Sequence, residues 1–318
     1  NTNLAVNKGN IIAEGEKSAG MLGLKGQIEN VGTITTKNKE SAVMYVENTD
    51  ATNKKALIAE GEKSAGIYAK VNEAAGNINI VGANIANATI TITGTQSAGM
   101  LGLMDKTTGA NSSLKLENSG KIDIDGTSKT GSAGIYSIIE SGANQKLSTT
   151  NTGTITIGQK ASVGIYAKNE SSQANTQSDV TNSGNGKIEV KNEGSAGILS
   201  ERSKVTNTGT IGVTGGNTSD NNKGTVAVIV GKNSTIDSSN GTINATVTDN
   251  KSIGVYSDGT LKLGTGTISA DAGAINYFAD NNGEIEVVSG KTSTAMTGQK
   301  SLLFYNGTNG TGKVKISG

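Results

Sequence analysis

Five residues, SAGIY, stand at 64–68 and again at 132–136, and close variants recur along the whole chain. An internal repeat constrains a fold strongly, because every unit must take the same local structure and pack on its neighbours. Aligned on the first residue of the motif, eleven copies begin at Ser18, Ser41, Ser64, Ser97, Ser132, Ser162, Ser195, Thr225, Ser252, Ala274 and Ser301, the last two degenerate. They are spaced by 22 to 35 residues, a range that fits loop insertion into a common unit. The stretch IIAEGEKSAG (11–20) returns as LIAEGEKSAG (57–66), so the unit is duplicated and not merely alike in composition.

The motif alternates. Its second position holds Ala19, Ala42, Ala65, Ala98, Ala133, Val163, Ala196, Val226, Ile253, Ile275 and Leu302. Its fourth position is apolar in every copy, from Met21 and Met44 to Tyr277 and Phe304. The first position is almost always Ser and the third mostly Gly. Period-two alternation is the pattern of a strand with one buried face. It predicts that positions two and four face a core, with Ser and Gly kept small by a crowded coil corner.

A second strand precedes each copy and reads N-x-G-x-I, as in Asn30–Ile34, Asn118–Ile122, Asn151–Ile155, Asn207–Ile211 and Asn281–Ile285. A shorter β-like piece often lies before that Asn, as in Leu114–Leu116 and Leu261–Leu263. Asn and Gly supply the turns between strands. Stacked Asn side chains at 7, 30, 118, 151, 182, 207 and 281 are expected to hydrogen-bond along the stack. No stretch shows sustained helical periodicity. One architecture fits: an all-β, right-handed parallel β-helix of about eleven coils, with two or three short strands per coil. At about 4.8 Å between stacked strands the rod would be about 50 Å long. Residues 1–318 then form a single solenoid segment. The chain opens on Asn inside the repeat, with no signal peptide, and reads as a piece of a longer protein.

Composition narrows the function. The chain has no Cys, His, Pro or Trp, which excludes Ser-His-Asp and Cys-His catalysis and the usual zinc sites. The net charge of +1 gives no sign of a nucleic-acid partner. No cofactor is expected. Residues 307–313, GTNGTGK, match the start of a phosphate loop, but Val314 stands where Ser or Thr belongs and the next residues read as strand. The loops 218–224 and 279–284, with Asp220 and Asp280, lack the spacing of calcium loops. Carboxylates are scattered. Asp123 and Asp125 share one strand face with nothing to reinforce them, which argues against a glycoside-cleaving pair.

All nine aromatic residues lie inside the motif. Position five supplies Tyr45, Tyr68, Tyr136, Tyr166, Tyr256, Phe278 and Tyr305, with Leu22, Leu101, Leu199 and Ile229 between them. If alternation continues, these side chains point outward as a stripe. One reading makes the stripe a ligand face for sugar rings or a partner protein. The other has the rings stacking on neighbouring glycines or packing under a loop. The intervals after the motif vary in length and would emerge along one edge of the solenoid. They add Asp105 and Lys106 in Gly102–Ser113 and Asn169 and Glu170 in Ala167–Asp179 as candidate ligand-facing residues, and a separate insertion before the Thr225 copy, Gly215–Gly224, adds Asp220.

S-A-G-I-Y alternating with N-x-G-x-I-x-V resembles the passenger domain of large type V (autotransporter) adhesins, most like those of fusobacteria. The resemblance runs from about residue 7 to the end. It implies a secreted β-helical rod displayed on the outer membrane of a Gram-negative cell. It also implies attachment to a host or bacterial surface protein or glycan, through lateral loops or a surface stripe. In that family a signal peptide precedes the passenger and an outer-membrane β-barrel, not present in this chain, anchors it. No catalytic residue is carried over. The alternatives are a carbohydrate-active β-helix enzyme, lyase or glycosidase, and a purely structural spacer.

Overall fold

The computed structural model describes residues 3–127, 129–173, 175–216, 224–249, 251–288, 292–297, 302–306 and 311–316. All its regular elements are strands, and every pairing between them is parallel. Most coils contribute three strands in chain order, for example Asn79–Asn84, Thr89–Ile92 and Ala98–Met104. Equivalent strands stack coil upon coil. The third stack, made by the SAGIY segments, is a sheet of eleven strands from Ala19–Gly23 to Leu302–Asn306. The first and second stacks count as one sheet because Thr235–Thr248 and Thr260–Asp271 run unbroken through both. The molecule is a parallel β-helix, and the strand count gives the eleven coils that the repeat predicts. The last motif keeps its strand, although Ser301 itself lies outside the described residues.

The core is a set of columns. In the second stack Ile34, Leu57, Ile90, Ile122, Ile155 and Ile188 lie in register and are fully buried. In the third stack Met44, Ile67, Met100, Ile135, Ile165 and Ile198 do the same. Each such side chain contributes about 2 kcal/mol by leaving water. It contributes this only when the coils above and below cover it, so the stack stands or falls together.

The corner between the first and second stacks is tied by a ladder of side-chain amides. Asn7, Asn30, Asn53, Asn84, Asn118, Asn151 and Asn182 each donate Nδ2–H to Oδ1 of the next asparagine at 2.7–2.9 Å. Asn207 then donates to Ser238 Oγ at 2.8 Å. Asn53 and Asn84 lack the N-x-G context and escaped the sequence pattern. Asn281 matches the pattern but does not belong to the ladder. Its N-x-G-x-I leads into Glu284–Val287, which pairs with the first-stack part of Thr260–Asp271. A five-residue pattern cannot distinguish entry into one stack from entry into another.

The motif itself departs from simple alternation. The third-stack ladder pairs Ala98 with Ala133 and Met100 with Ile135, and passes over Gly99 and Gly134. A Cβ at Gly99 would lie 2.4 Å from Ile122 Cγ2, so position three points inward; Met100 at position four also joins the core. Two successive residues face in, and positions two and five therefore both face out. The expectation for position two holds for burial and not for direction: Ala65 and Ala98 are buried, but on the outer side of the sheet and outside the contiguous core cluster. Gly at position three leaves room for the β-branched isoleucine of the second stack; the same approach of 2.4 Å recurs at Gly66, Gly134, Gly164 and Gly254, while Ala227 takes this position in a later coil. Val43 stands at this position in the coil whose second-stack counterpart is Leu57, which has no branch at Cβ. Ser at position one has its own reason. The backbone N–H of Ser64 donates to Ser97 Oγ at 3.0 Å, that of Ser97 to Ser132 Oγ at 3.1 Å, and so on along the stack. It is a hydrogen-bonded column, not merely a small one.

Candidate functional site

The inward pair at positions three and four leaves a trough on the outer face of the third stack. Its floor is the position-two column, Ala19, Ala42, Ala65, Ala98 and Ala133, then Val163. One wall is the position-five column: Leu22, Tyr45, Tyr68, Leu101, Tyr136, Tyr166 and Leu199. The opposite rim is the residue before each motif, Lys17, Glu40, Lys63, Gln96, Gly131 and Ala161. All six have φ between +48° and +79°, the left-handed turn that feeds the strand. The rim amides of Lys17, Glu40, Lys63 and Gln96 donate to a carbonyl of the next coil, which holds the turn in this conformation. The groove has a volume of about 800 Å³. It spans seven coils, about 29 Å at strand spacing. Beyond it the position-two column carries Val226, Ile253 and Ile275, side chains larger than the alanines of the floor.

The aromatic rings are packed on one another. Tyr136 and Tyr166 stack with centroids 4.9 Å apart and planes 8° from parallel; Tyr45 and Tyr68 meet edge to face at 5.1 Å. Further along the column Tyr256 meets Phe278 at 5.2 Å, and Phe278 meets Tyr305 at 4.7 Å. The stripe is thus outward, as alternation through position five requires, and continuous. Three hydroxyls are held by carboxylates. Tyr45 donates to Glu47 Oε2 at 2.7 Å, Tyr166 to Glu201 Oε1 at 2.8 Å and Tyr256 to Asp280 Oδ2 at 3.0 Å. Burial, then the acceptor carboxylate, raises the pKa of all three phenols well above the ordinary value. The hydrogen bonds from Tyr45 and Asn72 lower that of Glu47.

The candidate residues read from the sequence separate into groups. Tyr45, Tyr68, Tyr136 and Tyr166 come together in the groove wall, and Tyr256 lies farther along the same column. Asp105 pairs with Lys70 at 2.9 Å and accepts from the amide of Thr107, which lowers its pKa; it closes a turn. The amide of Lys106 donates to Glu140 Oε2 at 3.1 Å. Asn169, the last residue of its strand, is largely buried; its Oδ1 takes the amide of Ser171, and it lines a cavity at the end of the groove. Glu170 pairs with Lys168 at 2.6 Å. Asp220 lies outside the described residues. The third-stack strands run on to Met104 and Asn169, so the loops after them are shorter than the sequence suggests. They also brace one another: Thr108 Oγ1 donates to Val71 O, and buried Gln145 donates to Thr108 O at 2.8 Å.

Sequence reasoning missed two features. The first is the alanine floor, which it assigned to the core. The second is the basic part of a cavity of about 540 Å³ that meets the groove at Leu199: the candidates Asn169 and Glu170 line it, and so do Lys168, Glu201, Arg202, Ile229 and Lys232, which the sequence did not single out. Lys168 is engaged by Glu170 and Glu201 by Tyr166, whereas Arg202 and Lys232 form no ion pair among the described residues. The one available signal was that Arg202 is the only arginine in the chain. Among the described residues no three Asp or Glu side chains gather as a metal site, and no helix is long and apolar enough to cross a membrane.

The model of one protein family, described as the BigA third pectate lyase-like domain, matches residues 1–238. No curated protein and no solved structure matches the chain.

Proposed function

Because the chain belongs to the BigA third pectate lyase-like domain family, we propose that it is a ligand-holding β-helical segment of a bacterial surface protein, an adhesin passenger. The matched residues contain the whole groove, from Lys17 to Leu199. The observation that carries this reading is the groove itself. Its floor is alanine over five successive coils and larger in later ones, and its wall is a continuous aromatic and aliphatic column over seven. A spacer needs only the inward columns to stack, and gains nothing from leaving apolar side chains beside an open trough. Binding by this face, and not by the mutually braced loops, makes the stripe the adhesive element. On this reading the rod is displayed at the cell surface and anchored by a segment outside this chain.

An enzymatic reading finds less support in the same groove. The described lining contains one carboxylate, Glu40, and Lys17 stands 3.4 Å from it. Paired-carboxylate cleavage needs two acids facing one bond.

The test is attachment of host or bacterial cells to a surface coated with the chain, comparing wild type with Tyr68→Ser/Tyr136→Ser. Both rings lie outside the core, so the β-sheet circular dichroism should persist while most attachment is lost. Undiminished attachment with an intact spectrum would make the groove wall structural and this segment a spacer.

A further inference from the structure

Resting on the ligand-binding reading of the groove, we propose that its occupant is an α-helix of a partner protein, with a narrow apolar stripe and acidic residues at one end. The groove offers little to a sugar. Ser41, Ser64 and Ser97 line the trough but are buried, and each hydroxyl accepts a backbone N–H and donates to a backbone carbonyl. Tyr136 and Tyr166 spend ring faces on each other, which leaves edges toward the ligand. Polyhydroxylated chains would be desolvated there with few partners to replace water.

An extended peptide meets the same difficulty in its backbone. The third-stack strands already pair on both sides through the ladder, so no free sheet edge faces the groove. A strand lying along the trough would leave its inward N–H and C=O groups unpaired. A helix satisfies its own backbone and presents only side chains. About 19 helical residues span the 29 Å of the groove. The alanine floor lets that stripe approach closely, and the Tyr and Leu column supplies the contact area.

Charge sets the direction. At the first end of the groove Lys17 is paired with Glu40 and Lys63 with Glu62. At the other end, continuous through Leu199, Arg202 and Lys232 form no ion pair among the described residues. The C-terminal end of a helix carries partial negative charge, and glutamates in its last turn add to it. A helix with that end at Arg202 and Lys232 matches the site, and the contact fixes orientation more than it adds affinity.

The experiment uses the whole chain and fluorescence anisotropy with a designed helical peptide of that length, Leu and Ala in one stripe and Glu in its last turn. Three comparisons accompany it: the stripe scrambled, the terminal Glu replaced by Lys, and maltoheptaose as a competitor. The acid-ended striped peptide should bind saturably, and the first two comparisons at least about tenfold more weakly. Ala98→Ile, which places at coil four the residue that Ile253 already supplies in a later coil, should fill the floor and abolish binding with the β-sheet spectrum intact. Arg202→Gln/Lys232→Gln should remove the preference for Glu over Lys. No saturable binding below about 1 mM, equal binding of the scrambled peptide, displacement by maltoheptaose, or indifference to Ala98→Ile would each overturn the proposal. If cell attachment needs Tyr68 and Tyr136 but the helix does not bind, the occupant is wrong and the adhesive reading stands. If the helix binds and attachment ignores the tyrosines, the adhesive reading fails instead.

Discussion

The side-chain amide of Asn118 donates to Oδ1 of Asn151 at 2.7 Å, while its own Oδ1 accepts from Asn84 at 2.8 Å. It is one rung in a buried column where each rung is both donor and acceptor. Asn118→Ala would leave Asn151 Oδ1 without its donor and take the better acceptor from Asn84, whose remaining acceptor, Lys121 O, is 3.3 Å away. The expected cost is about 1–3 kcal/mol per orphaned group, read as a lower midpoint in urea unfolding. A midpoint equal to wild type would show that water replaces the rung freely.

Gly99→Ala tests the inward turn of position three. The added methyl would stand 2.4 Å from Ile122 Cγ2 and 2.6 Å from Gly134 O, so the coils must part locally. A loss of about 1–3 kcal/mol is expected in thermal or urea unfolding. Ala98→Gly beside it, outside the core cluster, should cost less. The reverse ranking would restore position two to the core.

Ile165 is fully buried and in register with Ile135 and Ile198. Ile165→Asp would place a carboxyl among them with no partner, at about 4 kcal/mol or more near neutral pH. Burial raises the pKa of such a carboxyl, so the variant should recover stability relative to wild type as pH falls and the group becomes neutral. Unfolding curves at pH 7 and pH 4 check both points. A pH-independent deficit would mean that lost packing, not charge, is the cause.

Stability should fall in alkali. The phenols of Tyr45, Tyr166 and Tyr256 have raised pKa values in the fold, as have the ammonium groups of Lys70 and Lys168 beside Asp105 and Glu170. A raised folded pKa contributes stability that is whole below the unfolded value, about 10 for both groups, and is lost as pH rises through the folded value. Denaturation midpoints should therefore hold to about pH 9 and decline beyond it. Tyr45→Phe/Tyr166→Phe/Tyr256→Phe should make the decline shallower. The difference in ultraviolet titration between wild type and this triple variant should show Tyr45, Tyr166 and Tyr256 ionising only as the fold opens; ordinary ionisation of these three near pH 10 in the native state would refute the carboxylate-held hydroxyls.

The sequence by itself determined the solenoid. Ile and Met recurring once per unit, asparagines before glycine and a near-exact duplication left no compact alternative, because a unit of this size buries its apolar face only against a copy of itself. It also put the tyrosines at one position of the repeat, hence in one column, but left open whether that column points outward or packs inward. Only the tertiary structure decided which side of the sheet each small residue takes. Glycine at position three has no side chain to mark its face, and alanine at position two suits a core or a trough equally. The answer depends on Ile122 of the second stack pressing against Gly99, a contact across the coil that no local pattern records. The same holds for Arg202 and Lys232, 30 residues apart in the chain and brought to one cavity by coil stacking. The groove and its charged end are products of packing between coils, and packing between coils is set by distance in space, not by order along the chain.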